Sequence, residues 1–156
     1  MAVTSDYTGR TVDLFIAQGA QTSGNRLISL ALNGDNGGKI TTGIQKAAQT
    51  FMLLLLTNKG SRPHDTNFGT RFIGTLLTSN ADDSQLQLAF KDAVEDILDQ
   101  QSVYLDPDAS DDEVISNIEL LSIATPSPDV INLTVQLITA TGESRDIVVP
   151  VTLAIK

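Results

Sequence analysis

Val130-Ile131-Asn132-Leu133-Thr134-Val135-Gln136-Leu137-Ile138 sets Ile131, Leu133, Val135 and Leu137 on one side of an extended chain. Such period-two alternation marks a strand with one buried face. Ala140-Thr141-Gly142-Glu143 follows as a hairpin turn, and residues 146–155 return as a second strand. Pro150 lies in that returning strand and has no N–H to give a ladder, so an exposed or irregular edge is expected there. Upstream, Val114 to Ile123 reads as a third strand, with Ile118, Leu120 and Ser122 on one face. Thr125-Pro126-Ser127-Pro128-Asp129 is the turn between them. The last third of the chain is therefore an antiparallel sheet.

Two long helices precede it. Residues 42–56 carry Ile44, Ala47, Ala48, Phe51, Leu54 and Leu55 at helical spacing, and Met52, Leu53 and Leu56 widen the stripe. A helix apolar on most sides is covered on most sides. Thr41 or Thr42 can cap its start, and Gly60 can close its end in a left-handed turn. The second helix is capped by Asn80, has Asp82 and Asp83 in its first turn, and ends near Gln101. Its stripe is Leu86, Phe90, Ala93, Val94, Ile97 and Leu98. Between the helices, residues 57–70 form a loop broken by Pro63 and Gly69, and residues 71–77 read as a short helix packing back. At the N-terminus, residues 11–17 and 27–32 suggest a β-hairpin, followed by the loop Asn33-Gly34-Asp35-Asn36-Gly37-Gly38. The expected fold class is α+β: two main helices packed on a C-terminal antiparallel sheet, with an N-terminal hairpin. Residues 1–40 would be the hairpin or arm and 41–156 the domain.

Composition removes several chemistries. The chain of 156 residues has no cysteine and a single histidine, His64. Disulfides, thiolate zinc sites, cysteine nucleophiles and two-histidine metal sites are excluded within one chain. Net charge is −9 and unevenly spread. Residues 1–80 hold seven Lys/Arg against four Asp/Glu; residues 81–156 hold three against fifteen. Eleven carboxylates lie between Asp82 and Glu113, against Lys91 alone. That balance disfavours nucleic acid as a partner and suggests two faces of different charge, the plainer reading being a solvated acidic surface. No secretory leader is visible at the start, and the apolar run Ala47 to Leu56 is about half a membrane span. A protein folded in a cytoplasm is expected, with no membrane and no cofactor.

Catalytic patterns are weak. Asp92 with Asp96, and Glu95 with Asp99, are helix neighbours on a solvated face rather than carboxylates across a cleft. Asp106-Pro107-Asp108-Ala109-Ser110-Asp111-Asp112 opens like a calcium loop but has Asp111 at the glycine position and Asn117 where a bidentate glutamate belongs. Lys59-Gly60-Ser61 lacks the rest of a phosphate loop. Ser61, His64 and Asp65 sit too close in one loop to converge as a triad.

One set of residues goes beyond fold class. Thr42-Gly43-Ile44-Gln45-Lys46-Ala47-Ala48-Gln49-Thr50, then Leu55-Leu56-Thr57-Asn58-Lys59-Gly60-Ser61-Arg62-Pro63, then Asn67-Phe68-Gly69-Thr70, resembles the gene product 25-like, or GPW, family of contractile phage tail baseplate wedge proteins, which has relatives in type VI secretion baseplates. The likeness extends over about residues 40–156 in the order of helix, loop, acidic helix and sheet. Where the family commonly has glutamate after the turn glycine, this chain has Ser61. The resemblance implies a structural part of the virion tail, assembled in the host cytoplasm in multiple copies around the tail. Its implied partners are other wedge proteins, the tail hub or tube, and the sheath, whose attachment it would initiate. It also implies partner contacts at Gln49, Lys59, Arg62, Pro63 and Arg71, and at the terminal strand through Val151, Leu153 and Ile155. Some members have been described as lysozymes, so a tail-associated muramidase is the alternative, and an adaptor in another contractile injection machine is a third reading. No enzyme is expected, because no convincing carboxylate pair is present.

Overall fold

The computed structural model describes residues 11, 13–14, 40–78 and 82–152. Its element order is β1 (Asp13–Leu14), β2 (Ile40–Thr41), α1 (Gly43–Leu56), α2 (Phe72–Thr78), α3 (Asp83–Tyr104), β3 (Ile115–Ser127), β4 (Val130–Thr139) and β5 (Ser144–Thr152). The strand order β3-β4-β5 makes an antiparallel three-stranded sheet.

β4 is central, and its alternation is the expected one: Ile131, Leu133, Val135 and Leu137 are all buried. Each such side chain contributes roughly 1.5–3 kcal/mol relative to an exposed one. α1 packs over β4 and β5, while α3 lies against β3. The helices meet through aromatic edges. Phe90 of α3 stands 6.5 Å from Phe51 of α1 and 6.0 Å from Phe72 of α2, ring centre to ring centre, both in edge-to-face geometry.

The expectation of two main helices is corrected to three among the described residues. α2 has only seven residues, yet Phe72 and Leu76 are buried in the core and the helix touches both α1 and α3. It is a third packed helix rather than an appendage of the loop. The hairpin expected within residues 11–32 falls mostly outside the described residues, as does the capping Asn80. Within them, Asp13–Leu14 pairs antiparallel with Ile40–Thr41.

Several boundaries shift for physical reasons. α3 is capped by Asp82, whose Oδ1 accepts the Gln85 N–H at 2.9 Å. It runs on to Tyr104, three residues beyond the expected end. α1 ends with the Thr57 N–H bonded to the Leu53 carbonyl, and Gly60, with φ +87°, turns the chain later. β3 continues through Pro126, inside the segment expected as a turn. That proline is tolerated because β3 is an edge strand and the register with β4 is irregular between Ala124 and Ser127. β5 is the other edge, where Pro150 stands opposite Asn132.

Candidate functional site

The loop of residues 57–71 leaves α1 and returns to start α2, and it is built rather than slack. Its two ends are stitched together: the Thr70 N–H donates to the Thr57 carbonyl at 3.0 Å, and the Lys59 N–H to the Thr70 carbonyl at 2.8 Å. Thr70 is fully buried; its hydroxyl donates to the Leu55 carbonyl and accepts the Phe72 N–H, joining the ends of two helices. Gly69 sits beside this seam with φ +97°. A Cβ there would lie 2.2 Å from the Thr57 carbonyl oxygen, so the close approach requires glycine.

The seam is fastened to α3 by Gln100. Its side-chain carbonyl accepts the Gly69 N–H at 3.0 Å and its amide donates to the Gly69 carbonyl at 2.7 Å. The neighbouring residue does the same for the sheet: Gln101 accepts the Ile115 N–H and donates to the Ile115 carbonyl at 2.9 Å. Two consecutive amides at the end of α3 therefore satisfy the backbone of both the loop and β3. Buried backbone groups need such partners.

The outer part of the loop folds onto the last turn of α3. The Arg62 guanidinium lies 3.6 Å from the centre of the Phe68 ring, and Phe68 meets Tyr104 edge-on at 5.2 Å. The Tyr104 hydroxyl donates to Asp65, whose other oxygen accepts the Asn67 N–H. The hydrogen bond from Tyr104 to Asp65, then burial, then the Asp65 charge, raise the phenol above the ordinary tyrosine value, with Arg62 opposing. Asp65 is thus directed at Tyr104 and the backbone of its own loop rather than arranged with His64 and Ser61 as a triad.

Lys59, Arg62, Pro63 and Arg71 are brought onto this one projection. Lys59 reaches Asp96 of α3 at 3.5 Å; Arg62, Pro63 and Arg71 are exposed. Gln49 is elsewhere, buried in α1, and Val151 is buried on β5 beside Ile131 of β4. Leu153 and Ile155 lie outside the described residues.

A second polar centre, not singled out in the sequence, surrounds Glu113. This glutamate has a side chain only 1% exposed; Lys46 Nζ lies 3.5 Å away and the Thr42 hydroxyl donates to it at 3.0 Å. Thr11 also donates to it, and Thr11 in turn takes Lys46 on its hydroxyl and Thr42 on its carbonyl. Thr42 thus turns its hydroxyl to Thr11 and Glu113 and makes no side-chain cap on α1. Within the acidic run Glu113 looks like any other carboxylate; the one hint is that Val114 and Ile115 follow it immediately.

Glu113 and Asp106 line one cleft of about 390 Å³ with Lys46, Gln101 and Tyr104. Two carboxylates thus share one cavity wall. Glu113 is already tied to a cation and two hydroxyls, which suits an internal fastening better than a free proton donor. The Asp106–Asp112 turn is closed on itself, with Asp106 accepting the Asp108 N–H at 2.9 Å and Ser110 bonding Asp112. Among the described residues no cluster of three His, Asp or Glu side chains could hold a metal, and no helix is long and apolar enough to cross a membrane.

No protein-family model and no curated protein matches this chain. Among solved structures, the crystal structure of a "putative tail lysozyme" from Geobacter sulfurreducens is similar over 72% of this chain and 92% of that one, with 17% identity and a TM-score of 0.47. A likeness of that size assigns neither a function nor a family.

Proposed function

We propose that this protein is a structural component of a phage tail baseplate, linking wedge proteins around the tail hub and offering a platform for sheath attachment. The observation that carries the reading is the construction of the 57–71 loop. The residues on which the resemblance to the baseplate wedge family rests are separate in sequence, yet they are fastened into one unit by Thr70, Gly69 and Gln100. That unit holds Arg62, Pro63 and Arg71 outward on a rigid base. A rigid, cationic projection suits assembly with acidic neighbours, because little ordering entropy remains to be lost on docking. The virion tail is the corresponding location, with wedge, hub and sheath proteins as partners in several copies.

Arg62→Ala and Arg71→Ala test this. Both residues are exposed, so the variants fold normally, with loss of about 0.5–1 kcal/mol at most from the Arg62 contact with Phe68. Tail reconstitution with either is expected to stall before sheath growth. Normal assembly by both would remove the loop as a docking element. The alternative muramidase reading has one concrete location, the cleft shared by Glu113 and Asp106. Peptidoglycan turnover that disappears in Asp106→Asn would establish it; absence of turnover is expected.

A further inference from the structure

β1 and β2 form a sheet of their own, two strands of two residues each, separate from β3-β4-β5. Asp13 stands opposite Thr41 and Leu14 opposite Ile40. An isolated two-stranded pairing of that length does not hold itself in water. The described contacts that fasten it are those of the polar clasp at its end. The Thr11 hydroxyl donates to Glu113 and accepts from Lys46, and the Thr11 carbonyl accepts the Thr42 hydroxyl at 2.9 Å.

The clasp takes Thr42 from another task. Thr42 is the N-cap residue of α1 and has the extended backbone of that position, φ −151° and ψ 171°, yet its side chain caps nothing. Its hydroxyl is turned to Thr11 and, at 3.0 Å, to Glu113. Gly43, the first residue of the helix, has φ +61°, a left-handed start to a right-handed element. Glycine exchanges that conformation for a helical one without the steric cost other residues meet. The Thr42 hydroxyl therefore has two alternative sets of partners: the clasp, or the N–H groups of Ile44 and Gln45 in the first turn, where a threonine cap ordinarily bonds. When residues 11–14 leave, the bonds that Thr42 gives up are replaced by a cap. Opening then costs less than in a clasp whose members are simply left unpaired. We infer that Thr11–Leu14 is a releasable strap and that Thr42 is its switch, closing the strap in one state and capping α1 in the other. Lys46 and Glu113 both line the cleft of about 390 Å³, so release removes a hydroxyl partner from each of the two charges on that wall. This stands independently of the tail reading.

The test is amide hydrogen exchange on the isotope-labelled full chain, read by NMR. Thr11→Val removes the clasping hydroxyl at nearly constant volume. The protected amides among residues 13–14 and 40–41 should then exchange about tenfold faster or more, while those of β4 keep their rates, because the opening is local. In the same variant the amide of Ile44 or Gln45 should exchange more slowly, because the Thr42 hydroxyl now caps it. Adding Thr42→Ala should abolish that slowing. Gly43→Ala leaves every clasp side chain in place but disfavours the left-handed start, so it should shift exchange in the same directions as Thr11→Val. The proposal fails if Thr11→Val leaves the strap amides unchanged, or if β4 loosens equally and the opening is global. It also fails if the strap loosens with no slowing at Ile44 or Gln45, or if the slowing survives Thr42→Ala, since Thr42 would then not be the switch.

Discussion

Gly69→Ala should be among the most damaging single-methyl changes in this chain. Two effects add. The first is backbone strain: an L-residue held at φ +97° costs about 1–2 kcal/mol. The second is collision. The new methyl would lie 2.2 Å from the Thr57 carbonyl oxygen and 2.9 Å from its carbon, both backbone atoms in the seam of the loop. Relief requires the seam to part, which removes the bond from Thr70 N–H to Thr57 and pulls Gly69 off the Gln100 amide. Three buried hydrogen bonds at about 1 kcal/mol each add about 3 kcal/mol. The expected loss is therefore about 4–5 kcal/mol, or a fall in Tm of roughly 10–20 °C for a domain of this size. Gly60→Ala and Gly142→Ala are internal controls. Both glycines have positive φ, +87° and +83°, but nothing lies within 4 Å of either Cβ position, so only strain of about 1 kcal/mol applies. Urea unfolding followed by far-ultraviolet circular dichroism suits a chain without tryptophan. If Gly69→Ala falls within about 1 kcal/mol of Gly60→Ala, the seam yields easily and the close-approach argument is wrong.

Gln100→Leu keeps the side-chain volume but strands the N–H and C=O of buried Gly69; a loss of about 2–4 kcal/mol is expected in the same urea experiment. Lys46→Met leaves the Glu113 carboxylate buried without its cation and should cost about 3–5 kcal/mol, whereas the double variant Lys46→Met/Glu113→Leu should regain most of it. A double variant no more stable than the single one would show that the pair is not the determinant. Tyr104 gives a pH signature. Its phenol is raised in the folded state, so the contribution of its bond to Asp65 is full below about pH 10 and is lost as pH climbs through the folded value. Ultraviolet difference titration of Asp65→Asn, with Tyr104→Phe to identify the signal, should show the phenol moving back toward the ordinary tyrosine value.

The parts of this fold legible in the sequence are those where one face of one element carries the signal. β4 alternates because it is central, with a single buried face, and α3 shows its stripe because its other side is solvated. α2 was legible as a short helix, but not as part of the core. Seven residues with Gly74 among them are too few for periodicity to weigh Phe72 and Leu76 as buried. The sequence reading ends β3 at Ile123 because the proline pair of residues 126 and 128 ordinarily marks a turn. An edge strand with a register break makes room for the first of the two, and the reversal waits for Pro128 and Asp129.

The polar framework of the site was less legible, and for a different reason. Gly69 was visible as a breaker, but the need for glycine is set by a carbonyl twelve positions upstream, at Thr57. Gln100 and Gln101 read as the polar end of a helix, and their backbone partners, Gly69 and Ile115, lie on opposite sides of it in sequence. Glu113 sits in a run of carboxylates, and only the folded chain sets Lys46 beside it. In each case the decisive fact is a pairing across the chain, where composition and periodicity carry no information. These pairings share a consequence. The end of α3 is fixed at once to the loop through Gln100, to β3 through Gln101 and to Asp65 through Tyr104. One helix end is therefore the shared anchor of the cationic loop and the first strand of the sheet, and on the proposed baseplate reading a load on the loop would reach the sheet through it.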